Sequence, residues 1–247
     1  MRALTLPAKP WAEDLCLRLL GVALAALALQ EALSGHLGVS AGALYGRRPA
    51  FLPLLPPMAM GAVWLGQIAA GALITLDLKR RPALWAAAAL CGLGLTQAYF
   101  NQAMFLFLTV LALALDSVPA ARAQLLLLYA ASAAFKLRDG FWTGDSLSAL
   151  LEQVRDRGMS PVIALPASAA RPLSIAALLL EIALPLALLR YPPEAVAAAI
   201  VLHAAFALGL PGLWPFTLTC AAAALLFLTP RPEGAPGGRG TSNPRRP

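Results

Sequence analysis

Three side chains able to move protons sit inside stretches otherwise built of Ala and Leu: Lys136, Glu181 and His203. Lys136 ends an apolar run, in Tyr129-Ala-Ala-Ser-Ala-Ala-Phe-Lys136-Leu-Arg-Asp-Gly-Phe-Trp142-Thr-Gly144. An amine placed there is short of water, which favours its neutral form, and a neutral amine is a base. The same placement also describes a lysine that snorkels its ammonium to a membrane surface. Glu181 lies in Leu178-Leu-Leu-Glu181-Ile-Ala-Leu-Pro185, and His203 in Val201-Leu-His203-Ala-Ala-Phe206. A carboxylate in apolar surroundings needs a partner. Lys136 and His203 both qualify, and the sequence leaves the choice open. Gln97 and Asn101 are four residues apart, on one helical face, and Gln102 adjoins them. Gln30, Gln67 and Gln124 read as interhelical hydrogen-bond formers.

The elements that position these groups follow from composition. The chain has 247 residues, 60% hydrophobic and 13% charged, against about 25% charged in soluble domains. The apolar residues come in blocks long enough, as helix, to approach the roughly 30 Å of a bilayer's hydrocarbon. Period-2 alternation, the mark of a membrane β-barrel, is missing. The expected fold is therefore all-α: a polytopic membrane bundle of about eight transmembrane helices, near 15–33, 54–76, 83–98, 101–116, 120–136, 172–190, 194–210 and 213–229. The stretch 83–116 is interrupted by Gln97, Asn101 and Gln102, and reads as two short helices meeting near 98–101 or as one tilted helix.

A short amphipathic surface helix is expected over 144–158, with Leu147, Leu150, Leu151 and Val154 on one face. Asp145 or Ser146 starts it and Gly158 ends it. Such a helix lies on the membrane or covers the mouth of the bundle. The organisation is one transmembrane domain over 1–229 and a disordered basic tail over 230–247, rich in Pro, Gly and Arg.

The net charge of +7 does not point to nucleic acid, because the basic residues are scattered between apolar blocks and in the tail. With eight spans, most Lys and Arg fall on the side of the two ends. Both termini are then cytoplasmic, and Lys136 faces outward. Cys16, Cys91 and Cys220 lie singly inside apolar blocks, so buried thiols are expected rather than a disulfide or a metal site.

Several stretches resemble the horizontally transferred transmembrane (HTTM) domain family, which includes the membrane domain of vitamin K-dependent gamma-carboxylase and its bacterial relatives. Tyr129…Phe135-Lys136-Leu137…Trp142…Gly144 resembles that family's aromatic-small-small-x-Lys-Leu…Trp…Gly segment. His203…Gly209-Leu-Pro-Gly212-Leu-Trp214-Pro215-Phe216 is similar to its His…Ile-Gly-aromatic-Pro turn between late helices. Asn101-Gln102 resembles an Asn-His pair. In this chain Gln102 stands in place of that histidine, the Lys136–Trp142 spacing is one residue longer, and no large extramembrane part follows the last helix. Protein γ-carboxylation is therefore not carried over.

The resemblance implies a quinol-dependent oxidase or carboxylase-like enzyme in which Lys136 is the base that deprotonates reduced vitamin K or another isoprenoid quinol. Asn101, Gln102 and His203 would line or polarise the cofactor pocket, Trp142 would wall or anchor it, and Glu181 would fix packing or serve a proton path. No metal is implied. The expected partners are membrane lipids, a lipid-soluble small molecule and a membrane or secreted protein, and the expected location is the bacterial inner membrane. Two alternatives stand beside this reading: a non-catalytic membrane binding or partner protein, and a proton-coupled transporter using Glu181.

Overall fold

Proline marks where most of the helices begin. A residue at the first position of a helix has no intrahelical use for its N–H, so the ring costs nothing there and presets φ. In a computed structural model, which describes residues 10–33, 55–97, 101–156, 166–209 and 213–229, α1 (Pro10–Leu33), α2 (Pro57–Thr75) and α8 (Pro192–Gly209) all start on proline. The first turns of α5 (Val118–Arg138) and α9 (Trp214–Leu225) carry Pro119 and Pro215. The other helices are α3 (Arg80–Gln97), α4 (Asn101–Ala114), α6 (Asp145–Asp156) and α7 (Ala170–Arg190). Short 3₁₀ turns occupy Phe141–Thr143, Ala167–Ala169 and Leu226–Leu228.

Among the described residues no strand occurs, and eight of these helices close into a ring. Following contacts, the order around it is α1, α2, α3, α4, α5, α7, α8, α9 and back to α1. α9 also touches α4 and α5, so it leans into the middle. α6 stands outside the ring, against α7 and the Phe141–Thr143 turn. It begins within the segment expected for the amphipathic helix, and its Leu147 is buried while Asp145 and Glu152 are exposed. The apolar run 83–116 is two helices: α3 ends at Gln97 and α4 starts at Asn101, packed side by side.

All eight expected segments are helical, but four helices are long and apolar enough to cross a membrane: α2 (Met58–Thr75), α5, α7 and α8. This corrects the expectation of about eight full spans. α4 has only 14 residues, roughly 21 Å at about 1.5 Å per residue, short of the hydrocarbon thickness. Trp214–Leu228 is likewise a shorter apolar helix. α3 opens on Arg80 and Arg81, and α1 carries Glu13, Asp14, Arg18 and Glu31. The four long apolar helices indicate an integral membrane protein. The loop 34–53, the tail 230–247 and the cap at Gly158 lie outside the described residues.

Small residues set the closest approach. Gly21 of α1 faces Gly71 of α2, and a Cβ built on Gly21 would lie 2.5 Å from the Gly71 carbonyl oxygen. Without a Cβ the two backbones touch, and dispersion acts over the whole contact. The turns at one end of the ring use aspartate where glycine is usual. Asp77 (φ 58°) and Asp116 (φ 53°) adopt the left-handed conformation that closes a helix. The N–H of the next residue, Leu78 or Ser117, reaches back to Leu73 O or Ala112 O, 2.8 Å in each case. Both aspartates are also ion-paired, Asp77 with Arg80 (2.8 Å) and Asp116 with Arg81 (3.0 Å). Arg80 additionally holds Asp14 of α1 at 2.6 Å. The end of α9 is closed by Arg122 of α5, which donates to Leu226 O (2.6 Å) and to Thr229 O (2.7 Å).

Candidate functional site

The buried face of α5 carries Ala121, Leu125, Tyr129 and Ala133, four residues apart. Tyr129 is 1% exposed, Ala133 follows one turn on, and Lys136 completes the second turn. α7 presents Glu181, and α8 presents His203 with Phe206 three residues later. Left-handed Gly140 (φ 69°) and Gly144 (φ 93°) bracket the turn that swings Phe141 in over the end of α5. Leu147 and Leu150 of α6 and Phe216 of α9 complete the enclosure. The result is a cavity of about 190 Å³ with Tyr129, Ser132, Lys136, Glu181 and His203 in an otherwise apolar and aromatic wall.

The polar groups meet in two pairs. Lys136 Nζ donates to Glu181 Oε1, with the lysine side chain 19% exposed and the glutamate 6%. His203 Nε2 and the Tyr129 hydroxyl are 2.9 Å apart. With the proton on Nδ1 the tyrosine donates, and with the proton on Nε2 the histidine donates. The partner of Glu181, open in the sequence, is thus Lys136 and not His203. Lys136 Nζ also stands 5.0 Å from the Phe141 ring centre and 5.3 Å from that of Phe206, where the ring faces stabilise a cation. Phe216 meets the His203 ring edge-on at 5.8 Å. Thr217 Oγ1 donates to the His203 carbonyl at 3.2 Å, tying α9 to α8 at this level.

Two buried atoms in this wall have no hydrogen-bond partner: Glu181 Oε2 and His203 Nδ1. Leaving such atoms unmet costs about 1–3 kcal/mol each, a cost that a hydroxyl or a water in the cavity would offset. Pro185 adds to the local polarity. It has no N–H to give the Glu181 carbonyl four residues earlier, so that oxygen is freed at the level of the carboxylate.

The pair offers acid–base chemistry without burying net charge. With the proton on Nζ it is an ammonium–carboxylate pair. With the proton on Glu181 it is a neutral amine beside a neutral acid, and the amine is then a base. Just outside the span, Arg138 donates to Asp139 at 2.7 Å, and that hydrogen bond holds the Asp139 carboxyl below its usual range. These two charges offset each other at the mouth. Asp145 is engaged by the Thr143 hydroxyl at 2.9 Å.

The other expected site residues lie apart. Asn101 and Gln102 are in the first turn of α4 and do not line the cavity; Asn101 is exposed. Trp142 is 48% exposed and faces away, while its neighbour Phe141 forms the wall. Gln97 Oε1 accepts from the Leu55 N–H at 2.8 Å, a structural role at the start of α2. Gln67 and Gln124 donate to the Leu90 and Phe105 carbonyls across helices, as expected. Cys16, Cys91 and Cys220 are buried free thiols. Sequence reading did not single out Tyr129 as a site residue, although its seven-residue offset from Lys136 carries the signal. Phe206 had a similar one, three residues beyond His203. Among the described residues no three of His, Cys, Asp and Glu gather as a metal site. No protein-family model, no curated protein and no solved structure matches this chain.

Proposed function

We propose that this protein is a membrane enzyme of the HTTM type that uses Lys136 as general base toward a lipid-soluble quinol. The observation that carries this is the Lys136–Glu181 pair in an aromatic cavity whose wall also holds the unmet Glu181 Oε2 and His203 Nδ1. The dimensions suit a quinol ring: an apolar cavity of about 150 Å³ accepts benzene, and this one is about 190 Å³. Phe141, Phe206 and Phe216 would hold the ring, and Glu181 Oε2 or His203 Nδ1 would take up a ring hydroxyl. When bound, a quinol would supply an acidic hydroxyl and two reducing electrons, with dioxygen as the co-substrate that accepts them. Lys136 Nζ receives the proton, and Glu181 holds the resulting ammonium. Tyr129 fixes the His203 ring.

In this reading α5, α7 and α8, three of the helices able to cross a membrane, place the cavity within the bilayer region. Both ends of the chain are cytoplasmic, the cavity opens outward, and the membrane is a bacterial inner membrane. A membrane or secreted protein would be the downstream partner. The position of Gln102, outside the cavity, supports the second reading, a domain that binds the same ligand without reacting.

The test uses purified protein in nanodiscs with a reduced naphthoquinone. Binding follows from quenching of tryptophan fluorescence, and turnover from oxygen uptake. The expected result is binding by the native chain, oxygen uptake above the uncatalysed rate, and loss of uptake with retained binding in Lys136→Met. Binding without uptake in the native chain selects the second reading. Failure to bind removes both.

A further inference from the structure

A larger hollow lies on the other side of α7, away from the cavity. It is a groove of about 420 Å³ between α7 and α8, walled by Ala183, Ala187, Ala195 and Ala198 and ending at Tyr191 and Glu194. Both helices are among the four able to cross a membrane. The groove therefore faces hydrocarbon, and a hollow there is filled by something as apolar as its wall. Its length selects what. It runs along α7 from Leu180 to Tyr191, roughly 16 Å at about 1.5 Å per residue, which is the depth of one leaflet when the hydrocarbon core is about 30 Å. One acyl chain laid along the seam fills it from the bilayer middle to the head-group level.

The head-group end carries one cation and one anion. Arg190 is the last residue of α7, with its guanidinium 6.0 Å over the Tyr191 ring, and Glu194 lies in the first turn of α8. Both are exposed. Among the described residues neither has an ion-pair partner, and they do not pair with each other. A guanidinium fork matches phosphate, and a carboxylate matches an ammonium that has N–H groups to donate.

We propose that this groove is a binding site for a phospholipid with a primary-amine head group, its acyl chain along the α7–α8 seam, its phosphate on Arg190 and its ammonium on Glu194. A choline head group carries the positive charge without N–H donors, and a glycerol head group carries no cation for Glu194. The site thus discriminates by head group.

Native mass spectrometry of the full chain in detergent tests this with phosphatidylethanolamine, phosphatidylcholine and phosphatidylglycerol of identical acyl chains. The expected result is at least a threefold preference for the ethanolamine lipid. Glu194→Gln should bring it down to the choline lipid. Arg190→Ala should weaken all three, and Ala187→Leu should fill the groove and reduce every lipid adduct. Both charge variants are on exposed side chains, and their melting temperatures should match the native protein. Equal adducts for the three head groups overturn the proposal, and so does a preference for phosphatidylglycerol. Adducts unchanged by both Arg190→Ala and Ala187→Leu also overturn it.

Discussion

Removing Lys136 should cost more stability than removing its partner, and removing both should restore much of the loss. The asymmetry comes from burial: the Glu181 side chain is 6% exposed and that of Lys136 is 19% exposed. In Lys136→Met the carboxylate stays in the wall with neither oxygen partnered, since Oε2 has no partner even in the native chain. Breaking a buried pair in this way costs about 3–5 kcal/mol. In Glu181→Gln the ammonium keeps an amide oxygen, the Phe141 and Phe206 ring faces and a flexible stem that reaches toward water. That loss is about 1–3 kcal/mol. The double variant Lys136→Met/Glu181→Gln buries no charge and should lie within about 2 kcal/mol of the native chain. In a chain of this size each kcal/mol moves the unfolding midpoint by about 2–4 °C. Lys136→Met should therefore melt roughly 6–20 °C below the native protein in nanodiscs. A double variant whose loss equals the sum of the single losses would show that the two side chains do not interact, and the acid–base pair at the centre of the cavity would go with it.

Other consequences can be measured by the same melting assay. Gly21→Ala should destabilise by about 1–3 kcal/mol, because the new methyl meets the Gly71 carbonyl, whereas Gly61→Ala, with nothing within 4 Å, should be neutral or slightly stabilising. Arg122→Ala should cost about 2–4 kcal/mol by stripping the carbonyls of Leu226 and Thr229 of their charged donor, and Arg122→Lys should recover only part of it. Tyr129→Phe should cost about 1–3 kcal/mol and leave the His203 ring free to turn, seen as exchange broadening of its NMR signals; an unchanged ring would remove Tyr129 from the site. At the charged end, hydrogen bonds from Arg18 and then Arg80 hold the Asp14 carboxyl below its usual 3.8. A carboxyl lowered by folding contributes stability above its unfolded value, and that contribution is lost as pH falls through the folded one. Asp14→Asn should therefore lower stability at pH 7, where that contribution is fully present, and flatten the acid side of the profile below about pH 4, where the native chain loses it.

The helical content and the helix order were legible in the sequence because they depend on short-range chemistry. Ala and Leu blocks cannot stay in water, a backbone in lipid must bond to itself, and proline marks starts. Hence α3 and α4 divide near the expected break around the polar cluster, and α6 appears where leucines recur at helical spacing. The span count was less legible. An apolar block and a full crossing differ by a few residues, and the charges of α1 and α3 lie at their ends rather than between blocks.

Lys136, Glu181 and His203 were recognisable as out-of-place polar residues, since each is costly wherever lipid surrounds it. Asn101 and Gln102 looked equivalent in one dimension and proved to lie elsewhere.

What the amino-acid order alone determined is which residues cannot face lipid unaided. What only the tertiary structure decided is who answers them: Glu181 with Lys136, His203 with Tyr129, Phe141 rather than Trp142 at the wall. Partnership across α5, α7 and α8 depends on helix rotation and on where a ring of eight closes, and those are set by the packing of all the helices together.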